Sequence, residues 1–118
     1  MTLAELEHHE QVAMLALLGL MARLDGQVSG DEMELLNRIL LELGQDSFEK
    51  AAHEAAQLPD TEAILMTAGT VTRPEAREIL FELLFDMAVK ESIAEREAKV
   101  LDYLTETWQL PSRVGGSE

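Results

Sequence analysis

The residues best placed to do chemistry are carboxylates. Glu75, Glu78, Glu82 and Asp86 recur at the spacing of a single helix face. The other faces of that segment carry Ile79, Leu80, Phe81, Leu83, Leu84, Phe85, Met87 and Val89. Glu82 and Asp86 stand one turn apart with no basic residue beside them. Two such carboxylates can hold a divalent cation when a neighbouring helix adds an acid or a histidine. The plain alternative is the one solvated stripe of a core helix.

A second acidic cluster is Asp25, Asp31 and Glu32, within Asp25-Gly-Gln-Val-Ser-Gly-Asp-Glu32. Asp25, Gly26, Val28, Ser29 and Glu32 match the second half of an EF-hand loop. The first half fails, because Met21 and Arg23 occupy positions that must supply oxygen ligands. A helix stop, an inward-packing Val28 and an N-cap at Ser29 explain the stretch without calcium.

Histidine offers less. Glu5-x-x-His8 is one pair where a di-iron bundle needs two, and His53 follows Glu49 at a spacing of four. His8, His9 and His53 are therefore expected on exposed helix surface. The chain has no cysteine, no Gly-x-Ser-x-Gly and no phosphate-cradling loop, so nucleophilic catalysis has no constellation. Six methionines are scattered along the helices and suit core gaps.

Twenty-three acids face nine Lys and Arg, for a formal net charge of -14. That balance argues against nucleic acid and anionic membrane surfaces as partners. It admits cations, basic proteins or simple solubility. The start, MTLAELEHHE, is acidic where a secretory leader is basic, and no apolar run reaches the roughly 20 residues of a membrane span. The expectation is a cytoplasmic protein with no membrane insertion.

These acids must be positioned by helices. Ala, Leu, Glu and Met are abundant and aromatic residues are 4%. The most apolar stretch, Val12 to Gly26, has one charge, Arg23, before its Asp-Gly ending. A helix this apolar all round is enclosed by protein. The first helix is predicted from Thr2 or Leu3 to Leu24, with Thr2-x-x-Glu5 as its cap. Others are predicted over 30–43, 46–58 behind an Asp46-x-x-Glu49 cap, 61–68 after Pro59-Asp60, 72–90 with Pro74 in the first turn, and 94–108. One domain over 1–111 and a frayed tail over 112–118 complete the reading.

The chain also repeats itself at an offset of 65 residues. Leu18 meets Leu83, Leu24 meets Val89, Val28 meets Ile93 and Glu32 meets Glu97. Leu36 meets Leu101, Ile39 meets Leu104 and Leu43 meets Trp108. Two helix-turn-helix halves about a pseudo-twofold axis would place the first and fifth helices centrally. The alternative is that any two amphipathic hairpins align this well.

An alanine- and leucine-rich helix, then Asp25-Gly26-x-Val28-Ser29-x-x-Glu32 and a second helix, repeated once, resembles the TerB-like family of tellurite-resistance proteins. The same domain forms the cytoplasmic N-terminal part of a membrane-anchored DnaJ-type co-chaperone. The resemblance covers about residues 3–110. The second copy departs from the pattern, with Lys90-Glu91 in place of Asp-Gly and Ala94 in place of the capping hydroxyl. The resemblance implies an all-α, single-domain bundle of about six or seven helices, a cytoplasmic location, association with tellurite or general stress resistance, and a metal-binding site. It brings no enzymatic activity. There is no His-Pro-Asp triplet, so the chain is not a J-domain.

The expected function is thus a non-catalytic, stress-associated module binding a divalent cation of open identity. Glu82 and Asp86 are the first candidate ligands, with Asp25, Asp31 and Glu32 as the second cluster. The alternative is a metal-free interaction or scaffold domain for a protein partner or a second copy of the chain.

Overall fold

A helix apolar on every face needs a layer around it, and the computed structural model supplies one. It describes residues 2–25, 30–90 and 95–109, with side chains over 2–23, 33–87 and 98–109. Six α-helices and no strand occur among the described residues: α1 (His8–Asp25), α2 (Gly30–Leu43), α3 (Gln45–Ala56), α4 (Thr61–Ala68), α5 (Pro74–Lys90) and α6 (Glu95–Thr107). From Val12 to Met21, only Gly19 is exposed. α1 packs against α3, α4, α5 and α6. The radius of gyration, 13.3 Å, agrees with the roughly 13.5 Å of a folded chain of this length. No helix among the described residues is long and apolar enough to cross a membrane.

The starts of the helices follow local chemistry. Asp60 caps α4 by accepting the Ala63 N–H at 2.9 Å. Pro74 opens α5, where its missing N–H is not needed. The carbonyl of Arg73 accepts the Arg77 N–H at 3.0 Å, so Arg73 is the capping residue and α5 starts two residues later than the predicted 72. The first predicted helix divides in two. Leu3–Glu5 is a separate 3-10 turn, with the Thr2 N–H donating to Glu5 at 3.0 Å. Leu6 is extended and ends it. Neither glycine nor proline marks this break. The separate turn lets Leu3 and Leu6 both reach the core and packs against α2.

α3 begins one residue earlier than expected, and its N-cap is Gly44 rather than Asp46. Gly44 also ends α2, by donating to Leu40 O at 2.9 Å. A single residue joining two helices requires unusual backbone, and Gly44 has φ 87° and ψ 152°. An added Cβ would meet nothing within 4 Å. Gly44→Ala is therefore expected to lose stability through the backbone alone, by about 1–3 kcal/mol in chemical denaturation.

Several equivalent core positions of the two halves share burial, while Leu36 and Leu43 are partly buried where Leu101 and Trp108 are buried. Leu15 and Leu80, Leu18 and Leu83, and Ile39 and Leu104 are all buried. α1 packs on α6, and α2 on α5, the reciprocal contacts that a twofold-related pair of hairpins makes. The pairs Leu24/Val89, Val28/Ile93 and Glu32/Glu97 lie outside the described side chains.

The two central helices are not equally central. At the same offset, Glu78, Glu82 and Asp86 of α5 correspond to Ala13, Leu17 and Met21 of α1. Those three α1 residues are fully buried, whereas the α5 acids are exposed. The difference is the added layer, since α3 and α4 pack chiefly on α1.

Candidate functional site

α5 presents Glu75, Glu78, Glu82 and Asp86 to solvent on one side, while Leu80, Phe81, Leu83, Leu84 and Met87 anchor the helix in the core. Two hollows border the acids. One, about 290 Å³, is lined by Glu75, Glu78, Ile79 and Glu82. The other, about 200 Å³, lies between α2 and α5, lined by Leu35, Arg38, Ile79, Glu82, Leu83, Asp86 and Met87. Glu82 belongs to both. The anionic donors are carboxylate oxygens, and no imidazole lines either hollow, which suits hard cations.

The neighbouring helix does not complete the site as expected. At the described edge of this face α2 brings Arg38, which pairs with Glu42 at 3.3 Å, rather than an acid or a histidine. Among the described residues, no third acid or histidine shares one coordination sphere with Glu82 and Asp86. Asp25 is the last residue of α1, and Asp31 and Glu32 lie in the first turn of α2. The side chains of these three lie outside the described residues.

The ligand atoms that do converge belong to Glu7, His9 and Glu10, all within 4.8 Å of one another. Glu10 is fully buried in the first turn of α1. Its Oε2 accepts from Arg73 Nε at 2.9 Å, and its Oε1 accepts from Arg73 Nη2 at 2.5 Å. The Glu7 N–H donates to the same Oε1 at 2.7 Å. Arg73 Nη2 also donates to Glu5 O at 3.2 Å. The fork of Arg73 holds the Glu10 carboxyl below the usual range, against burial that raises it, and Glu10 raises Arg73 in turn.

Both Glu10 oxygens are thus occupied by donors. A cation at this trio would have to displace a bidentate guanidinium. The cluster works as a clasp between the start of α1 and the start of α5, across 63 residues of chain. His8 and His9 are exposed as expected, and His8 contacts Glu54 of α3. In the sequence, His8-His9-Glu10 invites a metal reading; that Glu10 is instead the buried partner of Arg73 has no local signal, because the two lie 63 residues apart.

A family model described as Tellurite resistance protein TerB matches residues 11–114 of the chain. No curated protein and no solved structure matches it.

Proposed function

The chain belongs to the TerB family of tellurite-resistance proteins, and from that premise we propose that it is a non-catalytic stress-resistance domain whose α5 carboxylates bind a hard divalent cation. Glu82 and Asp86 are the direct ligands, and Glu75 and Glu78 extend the negative field along the same face. Asp25, Asp31 and Glu32 form the second cluster. The reading takes the cytoplasm as the compartment, as the resemblance implies.

The observation that carries it is the solvent-facing row of carboxylates beside two hollows, at positions whose α1 counterparts are core residues. Magnesium keeps several of its waters and binds through one or two carboxylates. Glu82 and Asp86 offer that number, so a third protein ligand is not required. The Glu7, His9 and Glu10 trio is the weaker candidate because Arg73 occupies Glu10.

A second reading, a metal-free interaction domain, draws support from Leu41 and Met33 on α2, which are 83% and 53% exposed. Calorimetry with magnesium, calcium, manganese and zinc, with light scattering on the same samples, separates the two. The cation reading predicts weak saturable binding, with Kd on the order of 10⁻⁴ M. The paired substitution Glu82→Gln and Asp86→Asn weakens it at least tenfold. At a hundredfold excess over Kd the folded state gains about 2.7 kcal/mol, read as a rise in melting temperature. No heat with any ion and an unchanged melt would contradict the reading. A dimer dissolved by Leu41→Lys, without ion binding, would replace it with the second.

A further inference from the structure

α1 is buried along its middle except at Gly19, and a cavity of about 380 Å³ opens there. Leu15 and Leu18 of α1, Leu36 of α2, Phe48 and Ala52 of α3, and Met87 of α5 line it. Arg23 is its single charged lining residue among the described ones. We propose that this cavity binds the alkyl chain of a monocarboxylate, a fatty acid or a close analogue, with Arg23 taking the acid group.

Three independent features support the assignment. Glycine in a helix interior is disfavoured relative to alanine, yet a Cβ at Gly19 would meet nothing within 4 Å. Packing therefore does not demand a glycine there, and its absent side chain leaves the cavity open to solvent. The walls are aliphatic, aromatic or alanine, so water finds few partners inside. The volume lies within the roughly 300–1,000 Å³ of small-molecule sites.

The charge of the ligand follows from the mouth. Arg23 lies one helical turn beyond Gly19 on the same face of α1, and none of the ion pairs among the described residues uses it. One guanidinium on a chain of net charge -14 matches a single carboxylate and repels a polyanion.

The test is calorimetric titration of the full chain with dodecanoate below its micellar concentration, beside 1-dodecanol. One-to-one saturable binding is expected, with the alcohol at least tenfold weaker. Arg23→Gln should bring the acid down to the affinity of the alcohol. Gly19→Leu, which fills the cavity, should abolish binding while melting at or above the wild-type temperature, and Gly19→Ala should weaken it with the same circular dichroism spectrum. No saturable dodecanoate binding by the folded wild type would overturn the proposal. So would unchanged affinity in folded Gly19→Leu, or equal affinity of the wild type for acid and alcohol. Cation binding should be unaffected in Gly19→Leu, so the two sites can fail separately.

Discussion

Arg73→Met lowers the stability of the fold by about 3 kcal/mol at neutral pH. The substitution removes the guanidinium that occupies both oxygens of Glu10 and leaves a fully buried carboxylate. The value is at the lower end for a broken buried pair because Arg73 is 36% exposed, and water can reach part of the gap. The loss depends on pH with a definite sign. In the wild type the Glu10 pKa is depressed from its ordinary 4.5, so its contribution is present above that value and declines as pH falls through the folded pKa. In Arg73→Met, burial without the partner raises the same pKa, and that variant is relieved by protonation in acid. The gap between the two proteins should therefore be widest near pH 7 and narrow below about pH 4. Adding Glu10→Gln should recover part of the loss at neutral pH. Urea titrations at the two pH values read all three outcomes.

Trp108→Ala removes about 3–5 kcal/mol, a large share of the roughly 5–15 kcal/mol that holds a domain of this kind. Trp108 is 2% exposed at the end of α6. Its indole N–H donates to Ala68 O at 3.0 Å, satisfying a carbonyl at the C-terminus of α4. Its own carbonyl lies 3.5 Å from Arg77 Nη1, and Arg77 Nε donates to Val71 O at 2.8 Å. The side chain thus fixes α6 to the connector between α4 and α5. Trp108→Phe separates the two contributions. It retains most of the apolar contact and removes one of the two donors to the Ala68 carbonyl, which keeps the Val71 N–H at 3.1 Å, for an expected loss of about 0.5–1.5 kcal/mol. Thermal and urea unfolding of both variants provide the comparison.

The helices were legible where a local residue announces them. Pro59-Asp60 and Pro74 punctuate the chain by fixed backbone geometry: α4 begins immediately after Asp60, and α5 begins at Pro74. The all-round burial of α1 followed from its lack of polar residues, because a helix without a wet face must be enclosed. The break at Leu6 was not legible. It is set by what Leu3 and Leu6 touch in the core, and the local residues carry no stop signal. Gly44 took the capping role from Asp46 because the connection is one residue long, so backbone conformation outweighed side-chain capping.

The candidate sites divide along the same line. The acidic row of α5 is a periodic pattern within one helix and could be read directly. Its exposure depends on α3 and α4 covering α1, and covering relations are not written in local spacing. The Glu10–Arg73 clasp joins residues 63 apart, and each alone looks like an ordinary charged surface residue. The cavity at Gly19 is assembled from five helices, and a mid-helix glycine is its sole sequence trace.

The cation reading is tested most directly by manganese-induced broadening of backbone amide NMR signals in the full chain. Substoichiometric manganese is expected to broaden α5 around Glu78 to Met87, and excess magnesium to restore the signals. In the paired Glu82→Gln, Asp86→Asn variant the same signals should stay sharp. Broadening centred on Glu7 to Glu10, or no broadening anywhere, would contradict it.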